Sequence, residues 1–393
     1  MNPGTLLASL IALATLAGAV LHSRHASDAG SVDQRLLAME RELEVLKAEN
    51  NTLKSMQQMT GEITLPLEFY TFVEKNLGME FFPHLKAIKV DHDKLLEAAE
   101  YRWIHQFKQA EIENRQYVFE LLHIIPANSK SYVQSLSELE TDAASGRIGV
   151  YDLHAKELLL STNFKIDDIA HQIELIRLLT IALLETHYPA DENLTDDAFI
   201  TRDAIIRGRA EMLAHRYRSI YDKEAKTKAA ITIPKGTGAL AKTLTLFTTI
   251  QGRNYIEKLL TTKKEVFPEL YQFIPRQSAY IYLNVPFIKK KPKPITTPKK
   301  SGQRVLITSE LGQIFTRVLI SNLSDKHPNL HLELAYDSLS FVQDLDQLES
   351  PTLEWKITWT SENSAKDFTQ IFNHKNEFTH AEQSGNVVTV EIK

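Results

Sequence analysis

The order of hydrophobic patterns along this 393-residue chain predicts an α+β protein. Helical periodicity fills 93–121, 130–144, 166–187 and 196–221. Short alternating or apolar stretches stand at 147–152 and 156–161, and again at 330–335, 353–359 and 386–392. Helices dominate first and strands later, so the expected sheet is small, antiparallel and near the carboxyl end, not built from repeated βαβ units. A composition of 43% hydrophobic and 24% charged residues fits a water-soluble core with appendages. Lys and Arg number 45 against 50 Asp and Glu, a net charge of −5, so no basic surplus points to a nucleic-acid partner. The chain has no cysteine, which removes disulfides, thiol nucleophiles and thiolate-bound zinc together.

The amino-terminal region (1–25) carries an uncharged run from Gly4 to Leu21, about 27 Å long as a helix. It reads as a membrane anchor, or as a signal segment cleaved near Ala17-Gly18-Ala19. An extracytoplasmic location, anchored or secreted after cleavage, is the expectation, although Arg24 with His22 and His25 is too weak a flank to fix an anchor's orientation. Within 30–59 a heptad register places Val32, Met39, Leu46 and Leu53 at d and Leu36, Leu43, Asn50 and Gln57 at a. In a parallel pair the register matches Arg35 with Glu40, Glu42 with Lys47 and Glu49 with Lys54, all attractive. Asn50 at an a position penalises other stoichiometries. The segment is expected to be a parallel homodimer stalk; the alternative is a single solvated helix that acts as a spacer.

The body is expected to run from 65 to 288, followed by an exposed basic linker at 289–302 and by a carboxyl-terminal α+β portion of the same body at 303–393. In the linker, Lys289 to Lys300 reads KKKPKPITTPKK, where prolines forbid a regular helix and six lysines repel one another. Attraction to anionic lipid or an acidic partner is its functional alternative. The aromatics of the first long helix, Tyr101, Trp103, Phe107, Tyr117 and Phe119, are expected to pack inside.

Tyr151-Asp152-Leu153, then a strand through Leu160, then Ala170-His171-Gln172-Ile173-Glu174-Leu175 resembles the Tyr-Asp-Pro turn, strand and Ala-HExxH helix of gluzincin-type zinc peptidases. Ala204 to Ala210 is similar to the stretch in which a glutamate before glycine completes the metal site. Leu122 to Pro126, Ile274 to Ser278, Leu353 to Trp359 and Ser364 to Phe368 resemble further segments, in the same order, of a family of bacterial HExxH metallopeptidases. The match covers roughly 65–393 and leaves out the stalk.

The resemblance implies a mostly helical metallopeptidase-like body, and the departures from it imply a lost activity. An HExxH site needs two histidines one turn apart, a glutamate that activates water and a third ligand. The resemblance keeps the first histidine as His171, puts Gln172 at the catalytic glutamate, Leu175 at the second histidine and Arg207 at the third ligand. Leucine has no donor atom, guanidinium carries the metal's own sign of charge, and a neutral amide takes no proton from water. A register shifted by two residues recovers Glu174 but places Ile173 and Arg177 on the histidines. No catalytic residue, metal or other cofactor is therefore expected. Arg207 could instead tie the two helices by meeting Gln172 or Glu174, or it could point to solvent. A displaced metal site would draw on His171, Glu174, His187 and His215, whereas the His327 and His331 pair spans Pro328 and reads as accidental.

The expected function is a non-catalytic, membrane-tethered, dimeric binding or scaffold protein that recognises a polypeptide or envelope partner. An active hydrolase with relocated ligands and a purely architectural coiled-coil protein are the alternatives.

Overall fold

The computed structural model describes residues 43, 61–81, 85–191, 194–222, 232–262, 271, 277–285, 303–344, 351–375 and 380–392. The apolar run 4–21, the heptads apart from Leu43, and the basic segment 289–302 lie outside them; Leu43 is helical and exposed. Among the described residues no helix is long and apolar enough to cross a membrane.

The chain is α+β, with two sheets attached to a helical centre. β1 (Glu62–Ile63), α1 (Leu67–Leu77) and β2 (Ala87–Val90) lead into α2 (His92–Phe107) and α3 (Gln109–Leu121). The sequence predicts one helix over 93–121, but the chain breaks at Lys108, which adopts a φ of 59°. No glycine or proline marks that break. It is held from a distance, because Arg115 of α3 lies 4.0 Å from the Phe107 ring centroid and donates to Asp196.

After α4 (Tyr132–Thr141), the hairpin β3 (Gly149–Asp152) and β4 (Glu157–Ser161) precedes α5 (Ile169–His187) and α6 (Asp196–Tyr221), close to the predicted boundaries. Asp168 caps α5 by accepting from the Ala170 N–H at 2.8 Å, and Thr195 caps α6 by accepting from the Ala198 N–H at 3.2 Å. The first sheet runs β1-β2-β4-β3, and its β2–β4 pair is parallel. The four-residue strand β2 is too short to show a period, so the sequence predicts neither it nor the crossover through α2 to α4.

α5 and α6 form the centre of the molecule, antiparallel and buried without interruption over Glu174–Glu185 and Asp196–Ala210. α7 (Ala239–Leu246), a wide π turn at Phe247–Gln251 and α8 (Gly252–Thr262) then cross α6 at very short range. A Cβ built on Gly208 would lie 2.3 Å from the Gly252 carbonyl carbon, and one on Gly252 would lie 2.1 Å from the Ala204 oxygen. Only two glycines allow the backbones to meet there.

α9 (Ala279–Tyr282) leads to the carboxyl-terminal unit: β5 (Gln303–Ser309), α10 (Gly312–Leu323), β6 (Leu334–Asp344), β7 (Thr352–Trp359), α11 (Glu362–Lys375), β8 (His380–Ser384) and β9 (Val387–Ile392). The predicted strand at 330–335 is instead a 3₁₀ turn, Leu330–Glu333, that delivers the chain into β6. The five strands pair antiparallel in the order β5-β6-β7-β9-β8. Strict alternation in β7 buries Leu353, Trp355, Ile357 and Trp359, and Phe368 of α11 lies 5.0 Å from Trp359 and 6.0 Å from Trp355 between ring centroids. Along the outer edge, the Asn373 amide of α11 donates to the Ala381 carbonyl at 2.9 Å and accepts from the Ala381 N–H at 2.8 Å. One apolar core runs through both units, for example from Phe119 to Phe315, 5.2 Å apart.

Gly208→Ala should lower stability by about 1–3 kcal/mol, because the added methyl meets backbone that cannot step aside. A urea midpoint unchanged from that of the parent protein would contradict the close crossing of α6 and α8.

Candidate functional site

The four positions singled out in the sequence start on α5. His171 lies in its first turn, half-buried, with Nδ1 accepting from the Lys165 N–H at 3.0 Å and the ring stacked on Phe164 at 5.9 Å. The proton of the neutral ring then sits on Nε2. Gln172 donates through Nε2 to the Ile166 carbonyl at 2.8 Å and accepts through Oε1 from the Tyr217 hydroxyl at 3.1 Å. Leu175 is wholly buried in the core. Arg207 donates through Nε to the Asp203 carboxylate at 2.9 Å and through Nη2 to Glu140 of α4.

These positions do not converge. α5 and α6 run antiparallel with Gln172 beside Tyr217 and Glu185 beside Arg202, so Arg207 stands level with Ile181 and lines the same small cavity as Leu178, Ile181 and Glu185. Ten residues of helix separate Ile181 from His171, roughly 15 Å at the helical rise. The expectation that Arg207 ties α5 to α6 through Gln172 or Glu174 is corrected accordingly: its two partners, Asp203 and Glu140, hold α6 to itself and to α4. Arg147, just ahead of β3, makes the tie instead, donating to Glu174 of α5 at 3.1 Å and to Glu211 of α6 at 3.3 Å.

Arg207 and Arg147 belong to one buried ionic network. Arg102, Arg207, Glu140 and Asp203 make one half of it, and Arg147, Arg177, Glu174 and Glu211 make the other. Four positive groups meet four negative ones. The halves sense each other, Arg207 against Arg147 and Arg177 with Glu140. Burial alone would raise the Glu140 carboxyl, yet Arg207 and Arg102 outweigh it and hold it at about 2. Glu174, between Arg177 and Arg147, and Asp203, between Arg102 and Arg207, are likewise below their ordinary values despite burial. Arg207 is raised by Asp203 and Glu140 against the opposing effect of burial. Glu140, Glu174 and Asp203, with Arg147 and Arg207, are thus charged at neutral pH. A separate pair, Arg202 with Glu185 at 2.6 and 3.0 Å, lies farther along the same helices.

Sequence reading found Glu174 and Arg207 but missed Arg102, Glu140, Arg147, Asp203 and Glu211. Glu174, Arg177 and Glu185 recur at helical spacing inside an otherwise apolar stretch, a signal that their partners had to be buried too.

His187 Nε2 lies 3.1 Å from the Glu80 carbonyl, and His215 is exposed. His327 lies 3.9 Å from Asp367, whereas His331 is buried against Tyr282. Among the described residues no group of three His, Asp or Glu side chains is placed to hold a metal ion. A groove of about 1060 Å³ opens elsewhere, between the loop from His123 to Lys130, the start of α4 and the segment Pro234–Ala241. The Asn322 amide fixes one wall by donating to the His123 and Ile124 carbonyls at 2.9 and 3.0 Å.

No protein-family model, curated protein or solved structure matches the chain. The chemistry of the site itself has to carry the function.

Arg147→Met should cost about 1–3 kcal/mol, because it takes one of two cations from the buried Glu174 and removes the Arg147 cation from the half-buried Glu211. Glu140 adds an acid limb. Its folded value lies below the ordinary 4.5, so its contribution is complete above pH 4.5 and is lost as pH falls towards 2. Glu140→Gln should flatten that limb in acid titrations of the urea midpoint while lowering stability at neutral pH.

Proposed function

We propose that the chain is a non-catalytic, metallopeptidase-like binding or scaffold protein, tethered through its amino-terminal segment and dimeric through its heptads. One observation carries the reading: every side chain that would have to hold or use a metal at the HExxH-like segment is already committed. His171 receives a backbone N–H, Gln172 bridges a carbonyl and a tyrosine, Leu175 is core, and Arg207 is locked to Asp203 and Glu140 roughly three turns away. Glu174, the one carboxylate of the segment, is pinned between Arg177 and Arg147, accepts three hydrogen bonds from them and is kept ionised, so it is poorly placed to take a proton from water.

The β3–β4 hairpin leading directly into α5 and α6 supports the metallopeptidase-like part of the reading, because the resemblance implies that order of elements. The groove beside the His123–Lys130 loop supports a binding role, since its volume admits a few residues of polypeptide and its lining mixes apolar side chains with Ser129, Ser135 and Thr237. A polypeptide or envelope partner suits that lining. In this reading the tether holds the body on the outer side of the membrane.

Metal analysis by mass spectrometry of the full-length protein, purified in detergent without chelator and supplied with zinc, should find far less than one zinc per chain. One tightly held zinc per chain, or peptide hydrolysis abolished by His171→Ala, would overturn the reading. Changing Leu36, Leu43, Leu46 and Leu53 together to serine should convert a dimer into a monomer in sedimentation while leaving the body's thermal midpoint in place. A dimer that survives those changes would show that the heptads are not its interface.

A further inference from the structure

Asp197 lies in the first turn of α6, only 2% exposed, where the helical centre meets Ser278 and the start of α10. Its Oδ2 accepts from the Ser278 N–H at 3.0 Å, and its Oδ1 has no hydrogen-bond partner among the described residues. Gly312, at a φ of 65°, presses so closely that a Cβ there would lie 2.0 Å from the Asp197 carboxyl carbon.

An anion at a helix start usually draws on free N–H groups. Here they are taken: Asp196 N–H by the Ser309 hydroxyl at 2.9 Å, Asp197 N–H by the Glu310 carbonyl at 2.9 Å, and those of Ala198 and Phe199 by Thr195 at 3.2 and 2.9 Å. The two neighbouring aspartates are provided for quite differently. Asp196 receives Arg115 at 3.0 and 3.1 Å together with the Ser309 hydroxyl, and Asp337 of β6 receives the N–H groups of Leu311 and Gly312 and the Trp355 indole at 2.8, 2.9 and 2.9 Å.

Among the described residues, the charged groups around Asp197 give it no counter-ion. Asp337 and Glu310 face it with negative charge, and burial and these two neighbours push its carboxyl well above the ordinary range, against the opposing Ser278 hydrogen bonds. Tyr282 of α9, a buried phenol pushed up to about 12, also feels Asp197, and Arg317 directs its guanidinium at the Tyr282 hydroxyl, 3.4 Å away. His331, 5.2 Å from the Tyr282 ring, is held neutral by burial, at about 4.

We propose that Asp197 is a neutral carboxylic acid in the folded protein, and that losing its proton loosens the seam between the helical centre and the carboxyl-terminal sheet. Uncharged, it escapes repulsion from Asp337 and Glu310, at the cost of one buried hydroxyl, which is smaller than that of an unpaired buried charge. Released to solvent, its proton leaves an uncompensated anion with one free oxygen in a packed seam. The folded group holds its proton more tightly than the unfolded one, so its stabilising effect is complete below the ordinary aspartate range and declines as pH rises through the folded value.

The full-length protein and its Asp197→Asn and Asp337→Asn variants are compared by urea midpoint from about pH 4, the ordinary aspartate value, to about pH 10. The parent should lose up to about tenfold in its folding constant per pH unit over part of that range. Asp197→Asn should abolish this alkaline fall, and Asp337→Asn should be less stable throughout but still fall. Hydrogen exchange of Asp197, Leu311 and Gly312 amides, normalised to Asp197→Asn at each pH, should accelerate in the parent alone. An unchanged alkaline fall in Asp197→Asn, or its loss only in Asp337→Asn, would overturn the proposal. If Asp197→Asn does not fold, infrared spectra of the parent with ¹³C-labelled aspartate decide. A protonated-carboxyl band at neutral pH that bleaches on alkaline titration supports the proposal, and its absence overturns it.

Discussion

Four guanidinium groups and four carboxylates share the space between α2, α4, α5 and α6, and most of them are too deeply placed for water to screen their charge. Their mutual pairing constrains everything around them. Arg147 can reach Glu174 and Glu211 together only if the hairpin that carries it lies across both central helices, and Glu140 can serve Arg102 and Arg207 only if α4 packs at one height along α6. An apolar seam of the same volume could slide by a helical turn with little loss, whereas a shift here would strand buried charges. The network therefore specifies alignment more than it adds net stability.

The same constraint explains why the HExxH-like segment does no chemistry in the proposed function. A catalytic carboxylate needs a free lone pair and a tunable proton affinity, and a metal ligand needs an uncommitted donor. Glu174 has arginines on two sides, and Leu175 turns towards the core in the next residue. In the proposed function that helix serves to hold the body together.

Much of the fold was legible from periodicity. α5 and α6 are long, capped by Asp168 and Thr195, and bounded close to where the pattern changes, and alternation in β7 shows its inward face directly. What escaped was set by contacts distant in sequence. The break at Lys108 depends on Arg115 and Asp196, and β2 depends on the hydrogen bonds of β4 more than on its own four residues. The site was legible only as loss of ligand chemistry at Gln172 and Leu175. Its actual organisation rests on Arg147 and Glu140, residues that nothing nearby in sequence distinguishes from surface charges, and on an antiparallel register that places Arg207 opposite Ile181 instead of His171.

The bracket that Asn373 places on Ala381 bears on how copies of this chain can associate. A primary amide offers one donor and one acceptor at nearly the spacing of a peptide unit, so the side chain occupies the place a sixth strand would take at that residue. Strand β8 is only five residues long, and its backbone groups alternate between β9 and the outside. With Ala381 filled, too little unpaired backbone remains for another chain to continue the sheet. The sheet is closed at this edge within a single chain, which leaves β5 as its one open edge among the described residues.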